Sequence, residues 1–548
     1  MSLEGNWRGN KPDVAKRRLS LLRGERGLAV SANRFLFLLV LVGFVTVSAT
    51  SAFARPQDKS TSELPLGRPS LKETRTTEQI APGVAYTRIV RGEQSKKDFY
   101  TVDVAFKDNH KAAQDLARRL KSDGYKTRVD KVKERAQDNP EKGPLGYLVR
   151  TGSFTSEAGA QALRGRLAAD GYAGSRVVYT GEDGDKTTGP WVVHVLKIEP
   201  ERYGGTLTPE LATKIVPERE KLSSISARTD SLAAINGGYF VIGESDGTPG
   251  DLAGISMLDG ELVSEAVDGR TSLVLPKGDG AGADVAALSD TLTATSSDGA
   301  SREIDGKNRK PGLIRGCGGE GGDVPTERPL HDITCTDGSE LILFTPIFGA
   351  STEPGDGAEA VIDASGRVTA LRESRGGPIP QDGSVLSGTE EGADWLRAHA
   401  KPGSVVSTDT NVSAEGAPLA GKTGVVNGGP RLLENAQPEI TAFAEGFVRP
   451  GDPEFYYRFG VRRNPRTMAG VTFGGDLLLV AVDGRRPGYS VGASFAEEAG
   501  IMNSLGSEEA VNLDGGGSTT MTIGERVVNR PSDTTGERPI GDAVSVLP

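Results

Sequence analysis

The sequence predicts an α+β fold in two unlike parts, a small βαββαβ unit followed by a larger strand-rich region. Three observations predict it. A block of alternating apolar residues, a helical stretch and an Asp-Gly-Tyr step occurs twice between residues 97 and 180. From Trp191 onward, short apolar runs alternate with Gly- and Pro-bearing turns. Glycine accounts for 73 of 548 residues, a level that suits strands and turns better than helical bundles.

The first 34 residues carry several Lys and Arg, and "FLFLLVLVGFVTV" follows from Phe35 to Val47. That run is roughly 13 residues, short of the about 20 that a membrane span needs. Ala52 and Ala54 give a small-x-small cleavage pattern. Residues 1–54 therefore read as a signal peptide, with an uncleaved anchor as the alternative. Residues 55–96 are polar, with Pro, Ser, Thr and charges, and read as a flexible linker.

The repeat then begins. Tyr100, Val102, Leu116, Leu120 and Asp123-Gly124-Tyr125 return at a constant offset as Tyr147, Val149, Leu163, Leu167 and Asp170-Gly171-Tyr172. Each unit opens on alternating apolar residues, a strand signal. Ala113, Leu116, Ala117 and Leu120 then share one helical face. Asp-Gly ends the helix, and another strand starts. Two such units make a ferredoxin-like sandwich over 97–180. "GEDGDKTTG", 181–189, reads as a second linker.

Residues 190–548 read as the strand-rich part. "WVVHVLKIEP" is a strand, "SLAAINGGYF" is a strand entering a glycine turn, and "ISMLDGELVS" is a hairpin around Asp259-Gly260. The less motif-rich stretch 276–440 reads as β-structure with one helix at "GADWLRAHA". Two strands meet at Gly474-Gly475, a helix fits "SFAEEAGIMNSLG", and "EAVNL" is a strand running into three glycines.

A net charge of -10 argues against a nucleic-acid partner, which needs basic patches. The four histidines, His110, His194, His331 and His399, limit any histidine-based mechanism. The two cysteines, Cys317 and Cys335, are expected to pair in an exported chain. With only His331 nearby, they leave a zinc site short of ligands.

Four segments sit where a strand meets a turn: "INGGYF" (235–240), "RRNPRTMAGV" (462–471), "VDGRRPG" (482–488) and "NLDGGGSTT" (512–520). Alternation places Asn512 and Asp514 on one face and Leu513 in the core. Gly515, Gly516 and Gly517 let the main chain approach a ligand, and their N–H groups can form an anion nest. Ser518 follows them. A tight turn in which Asp514 accepts its own backbone N–H groups is the plain alternative. Arg466, after Asn464 and Pro465, offers a planar donor fork suited to phosphate. It could equally serve a structural ion pair. Asn236, Gly237 and Gly238 repeat the pattern, with Tyr239 as a wall for sugar stacking and Phe240 as a core residue. Asp483, before Gly484 and Arg485, is a second carboxylate or a turn residue. Ser518 lacks a histidine partner and the G-x-S-x-G frame, so a serine triad does not fit. Gly316, Gly318 and Gly321 match G-x-G-x-x-G without a following helix pattern, so a dinucleotide site does not fit either.

The repeat unit resembles the SPOR (sporulation-related repeat) domain, on its duplication and its "DGY" steps. That resemblance implies binding of peptidoglycan glycan strands, with the sheet face as the contact surface. The four segments, with "NRPSDTTGERPI" and its Arg538, together resemble the phosphodiester glycosidase family across about 190–547. This resemblance implies cleavage of a sugar–phosphate diester at the sugar C1–O bond. Asp514 would then be the carboxylate facing the developing oxocarbenium ion, and Asp483 a general base or structural partner. Arg466 and the 515–517 N–H groups would hold the leaving phosphate. Asn236, Asn464, Arg485, Asn512, Ser518 and Arg538 would complete the substrate site. A divalent cation such as Ca²⁺ would suit the oxygen-only ligands. The expected partners are peptidoglycan and a glycosyl-phosphate polymer, at the cell envelope. Two other readings stay open: a wall-binding protein without catalysis, and a hydrolase of plain glycosidic bonds.

Overall fold

The computed structural model describes residues 62–548, apart from 185, 268, 278–281, 318–322, 326–333, 420, 422 and 450. The expected signal peptide lies outside the described residues. Among those described, no helix is long and apolar enough to cross a membrane.

The repeat folds as β3 (Tyr100–Lys107), α1 (His110–Ser122), β4 (Thr127–Val132), β5 (Gly146–Phe154), α2 (Glu157–Ala169) and β6 (Arg176–Tyr179). The sheet order is β4-β5-β3-β6, the ferredoxin-like arrangement. Asn109 caps α1 by accepting the Ala112 N–H at 2.8 Å. Ala113, Leu116, Ala117 and Leu120 pack against Val102, Val104 and Val149. The two Asp-Gly-Tyr steps clasp each other. Tyr172 Oη donates to Asp123 at 2.7 Å, and Tyr125 Oη donates to Asp170.

The expected flexible linker is corrected where it is described. β1 (Glu73–Ala81) and β2 (Val84–Arg91) form an antiparallel hairpin, and β2 pairs with β7 (Trp191–Ile198). Composition hid this because β1 is largely polar and exposed. β2 reaches the core on both faces: Val84 and Tyr86 are buried on one, Ile89 on the other. The linker expected at 181–189 is corrected too. Asp183 binds both Arg150 and Arg462, while Glu182 binds Arg462 at 2.7 Å.

The sheet face expected to contact peptidoglycan is also occupied. Arg150 on β5 is buried, salt-bridged to Asp103 and Asp183, and donates to Tyr457 Oη at 3.1 Å. Phe106 stacks on Tyr457 with ring centroids 5.6 Å apart. The repeat unit is thereby packed against the larger part rather than hung from it.

β1, β2 and β7 open an eight-stranded sheet that continues through Leu477–Val482, Arg466–Thr472, Ser507–Asn512, Arg431–Glu434 and Gln437–Pro438. Its register brings the motif segments together. Arg466 faces Val482, the residue before Asp483, and Met468 faces Asn512. A five-stranded sheet holds Ala233–Asn236, where Asn236 faces Ala543 and Ile235 faces Met521. The glycine segment thus crosses from one sheet to the other. Leu479, Ala481, Val511 and Leu513 meet Ile235 and Val544 in the core between them. A second eight-stranded sheet and another five-stranded sheet build the 256–427 region, with the helix Glu390–His399 packed on it.

Candidate functional site

The helix Phe495–Leu505 backs the strand that starts at Arg466, and it opens with a capping box at Ser494 and Glu497. Its residue Glu498 meets the Arg466 guanidinium at 2.8 Å. Arg466 also donates from Nε to the Ala493 carbonyl at 3.0 Å and from Nη2 to the Phe459 carbonyl. Phe495 lies beneath the guanidinium at 4.5 Å. The planar fork is held before any ligand arrives.

Arg466 and Asp514 line one cavity of about 720 Å³. Gly515, the residue after Asp514, runs along Arg466: a methyl group there would sit 3.8 Å from Arg466 Cδ. Asn464, Arg485, Gly515, Gly516, Gly517, Arg538 and Tyr239 line the same cavity, as expected residues brought together. Tyr239, Phe447, Phe455 and Phe459 form an aromatic wall. Phe240 is buried in the core and shows one edge to the cavity.

Burial pushes the Asp514 carboxyl up to about 6, while Ser518, Arg538, the Gly515 N–H and Arg315 pull the other way. Arg485 stands at φ 54, in the left-handed region that non-glycine residues avoid. Its Nη2 donates to Asn464 Oδ1 at 3.0 Å. Arg538 forms a bidentate pair with Asp533.

The glycines serve these arginines. A Cβ on Gly517 would fall 2.0 Å from Arg538 Nη2, and one on Gly516 would fall 3.3 Å from Arg485 Nη2. The expected anion nest is narrower than the sequence reading gives. The Gly516 N–H is taken by the Pro465 carbonyl at 2.8 Å, and the Gly515 N–H serves Asp514.

Several expected ligands sit behind the cavity instead of lining it. Asn236 is buried; its Oδ1 accepts from Thr467 and the Thr520 N–H, and its Nδ2 donates to the Asp514 carbonyl at 2.7 Å. Gly237 and Gly238 make room for Asp542 and Asn427, not for a ligand. Asn512 donates to Tyr239 Oη at 2.6 Å. Ser518 is wholly buried. These residues position the site. The reason is geometric: the second sheet closes directly over that end of the strands.

Asp483, expected as a general base or a structural partner, stands apart from the other candidates. It is fully buried and does not line the cavity. Its oxygens bond Tyr489 Oη, His194 Nε2, Asn529 Nδ2 and the Arg530 N–H. It is a structural hub that fixes the segment leading to Arg538.

Sequence reasoning passed over Asp542, Arg270, Arg458 and Glu498. Asp542 accepts the Gly238 N–H at 2.9 Å, and burial pushes it up to about 7, with Asp514 adding to the rise. Arg270 lies over Phe447 at 4.8 Å and donates to the Glu445 carbonyl. A signal for Arg458 exists in "RFGVRRNPR", four arginines crowded before one strand. Cys317 and Cys335 are disulfide-bonded, with Cα atoms 5.1 Å apart. Arg315, on the short strand Ile314–Arg315 just before Cys317, lines the cavity. Among the described residues no cluster of three or more His, Cys, Asp or Glu is arranged to hold a metal ion.

A phosphodiester glycosidase family model matches residues 356–547, and a SPOR domain model matches 96–177. A Burkholderia pseudomallei K96243 protein of solved crystal structure, named for its presumed export, is 34% identical. The alignment covers 89% of this chain and 98% of that one, with a TM-score of 0.80. The chain belongs to the phosphodiester glycosidase family. Its glycosidase-family part is preceded by a SPOR domain. A hypothetical protein from Synechocystis shares the fold at 18% identity and TM-score 0.51, over 87% of this chain and 79% of that one. The zebrafish N-acetylglucosamine-1-phosphodiester alpha-N-acetylglucosaminidase catalytic domain aligns at 13% identity and TM-score 0.32, over 81% of this chain and 95% of that one. Among curated proteins no relative matches. The family model begins after the Asn236–Tyr239 segment, so that corner of the candidate site rests on the geometry above.

Proposed function

We propose that this chain is an exported hydrolase of the cell envelope that cleaves glycosyl phosphodiesters at the sugar C1–O bond. The observation that carries the reading is the shared cavity: the carboxylate of Asp514 and the guanidinia of Arg466, Arg485 and Arg538 line it together with an aromatic wall. Family membership supports the bond type, and the SPOR domain supports the location.

The chemistry follows from the residues. The aromatic wall receives the sugar, and the guanidinia receive the phosphate. The C1–O bond breaks with its electron pair going to the phosphate oxygen. That leaving group is a phosphate monoester and needs no protonation once cations hold it. The ionised Asp514 faces the positive charge that grows at C1. Water attacks C1, and its proton passes to Asp514. The products are a free sugar and a phosphate monoester. With Asp483 inside the core, Asp514 carries both roles. A chromogenic sugar phosphodiester offered to the purified chain tests the reading, and failure to release sugar and monoester would sink it.

Peptidoglycan remains the expected partner of the SPOR domain. Because its sheet face is covered, the surface left for a glycan is the groove of about 530 Å³ beside the clasped Asp-Gly-Tyr steps, lined by Tyr125, Thr151, Phe154 and Arg166. Binding of full-length chain to glycan strands stripped of stem peptides, lost on Tyr125→Ala with Arg166→Ala, is the expected outcome.

A further inference from the structure

We propose that the same cavity holds a second anion site, built around Arg458 at the seam with the SPOR domain. It would take the neighbouring phosphate of a chain that carries one phosphate on each sugar repeat. The inference rests on the cavity being a glycosyl phosphodiester site and names its substrate class.

Charge is the first argument. Eight arginines line the cavity against two carboxylates, Asp246 and Asp514. One phosphodiester carries one negative charge, and Arg466, Arg485 and Arg538 already line the cavity with Asp514. Most of the other cations are spoken for: Arg176 lies 3.2 Å from Glu454, and Arg462 is held by Glu182 and Asp183. Among the described residues the Arg458 guanidinium has no hydrogen-bond or ion-pair partner. Its acidic neighbour Glu454 is engaged by Arg176. Burial and the neighbouring cations Arg176 and Arg462 lower its pKa, against the pull of Glu454 and Asp452. An incoming anion relieves that condition.

Position is the second. Arg458 belongs to a π-turn, Tyr457–Val461, a conformation frequent at functional sites. The preceding residue, Tyr457, is clamped by Arg150 and Phe106 of the SPOR domain. Asn464 joins the two anion sites. Its Nδ2 donates to the Arg458 carbonyl at 3.0 Å, and its Oδ1 accepts from Arg485 at 3.0 Å. Phe455 and Phe459 stack at 5.7 Å on either side of Arg458 in sequence and give a platform for a sugar ring. Arg176, Val177 and Val178 of β6 line the cavity, so the SPOR domain shapes it. The volume of about 720 Å³ lies in the upper half of the roughly 300–1,000 Å³ range for small-ligand sites, ample for more than one sugar phosphate.

The test uses the full-length Asp514→Asn chain and two synthetic ligands of one sugar, a single phosphodiester and an oligomer with three phosphates. Calorimetry should show the oligomer binding at least roughly tenfold tighter at low salt, with the preference shrinking as salt is added. Arg458→Gln in the same background should remove the preference, and Arg458→Lys should keep part of it. Equal affinities without Arg458 replaced, or a preference that survives Arg458→Gln, would overturn the proposal. Wild-type turnover of the single diester reports separately on the hydrolase reading. An intact oligomer preference without turnover would sink that reading and leave the second site standing; turnover without preference would do the reverse.

Discussion

The Glu498 carboxyl group lies 2.8 Å from Nε of Arg466, and solvent reaches almost none of either side chain. Burial pushes Glu498 up to about 8, with Arg466 pulling down and Glu497 pushing up. At pH 7 the group is therefore mostly protonated, and Arg466 keeps its positive charge for the cavity. The linkage has a definite sign. An unfolded Glu titrates near about 4.3. Between that pH and about 8, the folded state holds a proton that the unfolded state has released. Stability therefore falls as pH rises through this window, by on the order of a few kcal/mol. Thermal unfolding followed from pH 5 to pH 8.5 should show that decline, and Glu498→Gln should flatten much of it. An equally steep decline in the variant would place the proton elsewhere.

In the proposed reaction Asp514 sets the activity profile. It is pushed up to about 6, so it is ionised above that pH and neutral below it. Turnover of a sugar phosphodiester should climb as pH rises from 5 to 7 and then level off. Asp514→Asn should lower turnover by roughly 10³-fold with the unfolding midpoint little changed. A profile flat across pH 5–7 would separate Asp514 from the chemistry.

Asp483 gives the opposite expectation. Its carboxylate accepts from His194 and Asn529 in the core and from Tyr489 and the Arg530 N–H nearer the surface, and none of these residues lines the cavity. Asp483→Ala strands those donors and should cost about 3 kcal/mol or more in urea unfolding. Turnover per folded molecule should stay within a few-fold of the parent chain. Loss of turnover by orders of magnitude in the folded variant would return Asp483 to the catalytic machinery.

Asp514 and Asp483 also mark the limit of what a sequence discloses. Both follow an apolar strand and precede a glycine, so local pattern treats them alike. Alternation correctly sends Leu513 to the core, and pairing register explains why three motifs end at one sheet end. It does not tell which polar tip meets a cavity and which meets a second sheet. That depends on Ala233–Asn236 closing over the strand ends, a contact made between segments hundreds of residues apart. Asn236 turns inward for this reason. The seam of Arg150 with Tyr457 is hidden for the same cause, since each residue looks ordinary in its own segment. β1 and β2 escaped notice for a local reason: the polar residues of β1 dominate the composition.

Gly517 offers the most direct test of why three glycines follow Asp514. The ordering of such a run is unfavourable, because glycine has the most freedom to lose. Here the main chain must pass under a guanidinium. A Cβ at 517 would fall 2.0 Å from Arg538 Nη2 and 2.4 Å from Asp533 Oδ1. Gly517→Ala must therefore push the Arg538–Asp533 pair away from the cavity. Since Arg538 holds the leaving phosphate in the proposed reaction, KM for a phosphodiester should rise roughly tenfold and kcat should fall. Gly516→Ala meets only the flexible Arg485 tip at 3.3 Å, but it carries the strain of φ 62. It should lower the unfolding midpoint more than it raises KM. Unaltered kinetics in Gly517→Ala would mean that Arg538 takes no part in holding the phosphate.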